Sequence, residues 1–101
     1  MIGIDLTSIS RFTKMKTLDK LIKKLNVDGN NAIAAAKTWA CMEALVKAEG
    51  KSFDYGKIKI KFPFNSAPVV IDDNSVLQYT YVLSLSHEDD TVAAVAMRIN
   101  K

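Results

Sequence analysis

Trp39-Ala-Cys-Met-Glu-Ala-Leu-Val-Lys-Ala-Glu-Gly50 is an apolar stretch at helical spacing that carries a carboxylate, Glu43, and an ammonium, Lys47, four residues apart. Residues so spaced share one helix face with Cβ atoms roughly 5–6 Å apart, so both charges project together. Trp39, Met42 and Val46 continue the apolar pattern, and Gly50 stands where a left-handed cap ends a helix. Two readings of the pair are open. One is an exposed ion pair worth roughly a few tenths of a kcal/mol; the other is part of a site for a metal and a phosphate.

Upstream, Met1 to Phe12 reads as a short apolar strand interrupted by Asp5, followed by a Thr/Ser capping signal and a new helical period. A carboxylate buried unpaired costs several kcal/mol. Asp5 is therefore expected either to bond the N-terminus of the following helix or to be held by a cation. Together, Asp5 and Glu43 offer the kind of donor set magnesium prefers, a few hard carboxylates with other positions left to water and substrate phosphates.

The remaining pattern predicts a strand at about Ile2 to Leu6, one helix from about Ser8 to Leu25, a turn-rich break over Asn26 to Asn31, and a second helix from about Ala32 to Glu49. After Gly50 the period becomes two. Lys57 to Phe62 alternates as a strand ended by Pro63, Ala67 to Ile71 is a short strand, and Asp72-Asp-Asn74 is a hairpin turn. Val76 to Ser86 and Thr91 to Ile99 are longer strands joined at Glu88 to Asp90. The order βααββββ argues an α+β fold, an antiparallel sheet packed against two helices in one domain spanning 1–101.

Composition narrows the function classes. With 101 residues, 49% hydrophobic and 25% charged, the chain has the make-up of one globular domain that covers its apolar faces only marginally alone, which makes self-association plausible. No run is long enough to span a bilayer, and Met1-Ile-Gly-Ile-Asp5 has no charged signal-peptide start. The single Cys41 fits a reducing cytoplasm and reads as a buried, inert thiol. The lone His87 cannot build a zinc site, and no glycine-rich phosphate loop or nucleophile elbow is present. Arg11, Lys14, Lys16, Lys20, Lys23 and Lys24 crowd the first helical region against Asp19 alone, on a chain of net charge +3. Without interleaved exposed aromatics this is no nucleic-acid surface; a solvated face or a dock for an acidic protein remains.

Gly3-Ile-Asp-Leu-Thr-Ser-Ile-Ser-Arg-Phe12, Trp39-Ala-Cys-Met-Glu-Ala-Leu-Val-Lys47 and Ser84-Leu-Ser-His-Glu88, in that order, resemble the phosphopantetheinyl transferase superfamily, most closely the small holo-acyl-carrier-protein synthase type. The resemblance spans nearly the whole chain. It implies transfer of 4′-phosphopantetheine from CoA to a serine of an acyl or peptidyl carrier protein, with magnesium as cofactor. It also implies a place in fatty acid biosynthesis and a homotrimer whose clefts lie between subunits.

By the same resemblance Asp5 and Glu43 hold the metal, and Glu43 and Lys47 are the catalytic pair. Lys47, Ser86 and His87 bind CoA, while Arg11 and Met15 dock the carrier. The proton acceptor stays open between Glu43, a metal-bound water and a group of the neighbouring chain. Where the family usually has lysine before the helix glutamate this chain has Met42, and where a basic residue often precedes the aromatic it has Thr38. These two departures are the basis for an alternative, a non-catalytic CoA- or carrier-binding relative. A third reading is a small structural interaction domain.

Overall fold

The computed structural model of the chain describes residues 1–99. Strand β1 (Ile2–Ser8) leads into short helices α1 (Ile9–Thr13) and α2 (Leu18–Lys24), then the long helix α3 (Ala32–Glu49), a 3₁₀ turn (Tyr55–Lys57) and strands β2 (Lys59–Lys61), β3 (Val69–Ile71), β4 (Thr80–Glu88) and β5 (Thr91–Ile99). The order is that of an α+β fold with antiparallel sheets on helices. The strands do not form one sheet. β5 lies between β1 and β4 in a three-stranded antiparallel sheet, and β2 pairs with β3 separately.

Helix α3 is the centrepiece, and its caps explain its limits. The Asn31 side chain accepts a hydrogen bond from the Ala34 amide at 2.8 Å, and Gly50 closes the helix at φ 84°. Its alanines let backbones approach closely. An added Cβ on Gly3 of β1 would stand 2.0 Å from the Ala44 carbonyl oxygen and 2.7 Å from the Ala48 nitrogen, so only glycine allows β1 to lie this near α3. Ala94 and Ala96 of β5 and Leu83 of β4 face the same helix and complete the core with Phe12, Met42, Leu45, Ile58 and Ile60.

The single helix expected over Ser8 to Leu25 is broken at Lys14 to Thr17. The inward apolar residues Ile9, Phe12, Met15, Leu18 and Leu21 recur every three positions. On a straight α-helix each such step rotates the stripe by about 60°, so a break is needed to keep it on the core. The expected start of the long strand at Val76 is also displaced. The Asp72 carboxylate accepts from the amides of Val76 (2.8 Å) and Leu77 (2.9 Å), and buried Glu49 accepts from that of Gln78 (2.7 Å). With those donors committed, the ladder begins at Thr80, and Asp72 to Asn74 is part of a longer loop rather than a hairpin turn.

Alternation on β1 places Gly3, Asp5 and Thr7 toward α3, with Ile2, Ile4 and Leu6 on the opposite face. That opposite face, shared with Val82 and Met97, is apolar and exposed; Leu6 alone is 70% exposed. The described helices include none long and apolar enough to cross a membrane.

Candidate active site

Asp5 leaves β1 on the side of α3, directly beside the close approach that Gly3 permits. Its Oδ2 accepts from the Thr7 hydroxyl at 2.7 Å, and its Oδ1 stands 3.4 Å from the Lys47 ammonium, which donates a stronger bond to the Ile4 carbonyl at 2.8 Å. The Asp5 side chain is 14% exposed and that of Lys47 55%. Lys47 therefore pins the last turns of α3 to β1 while its head stays accessible to an incoming anion. Asp5 does not cap the following helix. Asp90 of the β4–β5 turn does that, accepting from the Ser10 amide (2.8 Å) and the Ser8 and Ser10 hydroxyls, which holds its carboxyl below the usual range.

Glu43, one helical turn before Lys47, is not paired with it: among the described residues the single salt bridge is Lys47–Asp5. Glu43 Oε2 instead accepts from the hydroxyl of Tyr55, which reaches in from the 3₁₀ turn. Burial, then the hydrogen bond and charge of Glu43, then the charge of Asp5 push the Tyr55 phenol well above its ordinary range. Both carboxylates thus act on one phenol. Tyr55 also packs edge-on against Trp39 at 5.9 Å and tilted against Phe53 at 5.2 Å. Tyr55 went unrecognised in the sequence because it lies in no motif, and the role of Thr7, which reads there as part of a capping signal, because it acts through the Asp5 side chain.

The other expected site residues are dispersed. The Arg11 guanidinium sits 5.1 Å from the Trp39 ring centroid, which links the exposed basic helices to the Trp39–Tyr55–Glu43 cluster. Met15 is half-buried against the core. Ser86 lies on the exposed face of the sheet, opposite to Asp5, as its register with Ala93 and Leu6 requires. His87 is exposed at the end of β4, its Nε2 3.2 Å from the Asp89 carbonyl. In one chain, then, Asp5, Glu43 and Lys47 gather while Ser86 and His87 stand apart.

Met42 and Thr38 are fully buried, Thr38 donating to the Ala34 carbonyl at 2.9 Å. A cation at either position would point into the core of this chain, so these departures remove no charge from the Asp5–Glu43–Lys47 cluster. Cys41 is likewise buried, its thiol pushed up to about 12 by desolvation, in keeping with an inert role.

No family model matches the chain. Over its whole length it is 32% identical to a holo-[acyl-carrier-protein] synthase of Mycoplasma mobile, covering 91% of that protein. Among solved structures it resembles the Helicobacter pylori holo-[acyl-carrier-protein] synthase in complex with coenzyme A. There the TM-score is 0.82 at 23% identity, over 98% of this chain and 100% of that one. It also resembles the Mycobacterium tuberculosis acyl carrier protein synthase, with a TM-score of 0.68 at 28% identity over 94% of this chain and 92% of that one.

Proposed function

The chain belongs to the holo-[acyl-carrier-protein] synthase family, and we infer from this that it transfers 4′-phosphopantetheine from CoA to a serine hydroxyl of an acyl or peptidyl carrier protein. The observation that carries the site assignment is the cluster itself: β1 and α3, held together at Gly3, bring two hard carboxylates and one accessible ammonium to one place. The Lys47 ammonium already stands against Asp5 Oδ1, so the position accepts positive charge, and the all-oxygen donors Asp5 and Glu43 suit magnesium. Magnesium held there would supply positive charge to the diphosphate of CoA.

The chain's own residues do the rest. In the transfer, the serine oxygen forms a bond to the phosphorus on the pantetheine side, the bond to the bridging oxygen breaks, and adenosine 3′,5′-bisphosphate leaves. The difficulty is charge: a hydroxyl must approach an anion, so positioning and neutralisation dominate. Lys47 meets the phosphoryl oxygens, and the serine proton passes to a base drawn from Glu43, water or a group of the neighbouring chain. Arg11 and Met15, with the exposed lysines of α2 and of the α1–α2 linker, present a basic approach that steers an acidic carrier toward the cluster.

Ser86 lies on the sheet face opposite to Asp5, so it can serve a CoA cleft only across a subunit boundary. That face is the apolar one bearing Ile2, Ile4, Leu6, Val82 and Met97, which supports a homotrimer with Ser86 contributed to a neighbour's cleft; His87, in register with Val92 and Thr7, lies on the Asp5 face and would reach a CoA cleft from the end of β4. The domain is read as single and the compartment as cytoplasmic. The burial of Met42 and Thr38 leaves the non-catalytic alternative without an observation in its favour.

Intact-mass spectrometry of an apo-carrier protein incubated with this protein, CoA and magnesium tests the activity. The expected result is a covalent gain of one phosphopantetheine; CoA binding without mass gain on any of several carriers would refute it.

A further inference from the structure

The two carboxylates of the cluster are held in the same way. Thr7 Oγ1 donates to Asp5 Oδ2 and leaves Oδ1 facing Lys47, while Tyr55 donates to Glu43 Oε2 and leaves Oε1 for another partner. Each hydroxyl comes from a well-fixed place. Thr7 is buried on β1, two residues from Asp5 on the same strand face. Tyr55 is wedged between Trp39 and Phe53, and its turn is fixed by the Asp54 carboxylate accepting from the Gly56 amide at 2.9 Å. Carboxylates that ligate a cation need such outer partners, because a free carboxylate rotates and must be ordered when the cation binds.

We propose that Thr7 and Tyr55 are positioning residues for a divalent cation, each fixing one oxygen of a carboxylate so that the other, Asp5 Oδ1 or Glu43 Oε1, is presented to the ion. The inference rests on the reading of Asp5 and Glu43 as the cation ligands. Neither hydroxyl touches the ion or the substrate. Their effect is on cation affinity, and carrier docking through Arg11 is independent of them except where Trp39 joins the two.

The test uses Mn²⁺ as a spin probe on the protein alone, with free ion counted by electron paramagnetic resonance, for wild type and Tyr55→Phe, Thr7→Val, Asp5→Asn and Glu43→Gln. Both hydroxyl deletions keep the side-chain shape, so melting temperature and near-UV circular dichroism should stay close to wild type. Each should weaken Mn²⁺ binding about tenfold, the low end of what outer-partner changes cost. In turnover assays each should raise the half-saturating Mg²⁺ concentration by a similar factor with the carrier KM unchanged. Wild-type affinity in Tyr55→Phe and Thr7→Val, alongside lost binding in Asp5→Asn and Glu43→Gln, would overturn the positioning role and leave the ligand reading intact. Binding that survives in Asp5→Asn and Glu43→Gln would overturn both.

Discussion

Replacing Gly3 with alanine should damage the fold and the chemistry together. The new Cβ would sit 2.0 Å from the Ala44 carbonyl oxygen and 2.7 Å from the Ala48 nitrogen, both backbone atoms of α3 that cannot rotate away. Strand and helix must separate by about 1 Å to bring the closer contact to a tolerable distance, and overpacking of this kind costs about 1–3 kcal/mol. For a chain of this size that corresponds to a drop of roughly 5–20 °C in Tm. The same displacement moves Asp5, two residues along β1, away from Glu43, which adjoins Ala44. A misplacement of about 1 Å at reacting groups can cost on the order of 100-fold in rate. Thermal melting by circular dichroism and turnover by carrier mass shift measure the two effects. Gly50→Ala is the control: Gly50 has nothing within 4 Å of an added Cβ, so it pays only the positive-φ strain at 84°, about 1 kcal/mol, and should keep wild-type turnover. A Gly3→Ala protein with unchanged Tm and turnover would refute the close β1–α3 packing on which the site depends.

Lys47→Met should leave stability within about 1 kcal/mol of wild type, because the lysine head is largely exposed. It should remove roughly 3 kcal/mol of transition-state stabilisation, read as kcat/KM. Met42→Lys should unfold or strongly destabilise the protein, by several kcal/mol in a denaturant melt, since it places an ammonium in the core. Arg11→Glu should raise the carrier KM but not the CoA KM, and rising salt should mimic it by slowing association. The Asp90 carboxyl is lowered by its serine partners, so its tether to α1 is fully present above the ordinary carboxylate value near 4 and is lost as pH falls through the lowered one. The Ser10 amide chemical shift should follow that loss, and in Asp90→Asn it should show no such titration.

Helix α3 was legible because both of its ends carry chemistry, the Asn31 cap and the left-handed Gly50, and because its interior is apolar over many turns. That same all-round apolarity hid the direction of Met42 and Thr38: a helix buried on most sides has no polar face to orient it. Asp5 and Glu43 stood out as carboxylates in apolar runs, and the proximity of Lys47 to Glu43 in sequence pointed to the right helix face. What escaped were pairings between distant residues. Lys47 meets Asp5 rather than Glu43, Tyr55 meets Glu43, and Asp90 rather than Asp5 caps α1. The split helix was present in the three-residue spacing of Ile9, Phe12, Met15 and Leu18, and the late start of β4 turned on carboxylates whose reach local pattern does not encode.

The proposed chemistry stands on Asp5 and Glu43 carrying the transfer together. Its most direct test is the rate of mass gain on an apo-carrier protein, at saturating CoA and magnesium, for wild type, Asp5→Ala and Glu43→Ala, each shown to be folded by its melting curve. Wild type should convert the carrier, and both variants should lose turnover while keeping native-like melts. Wild-type rates in either folded variant would contradict it.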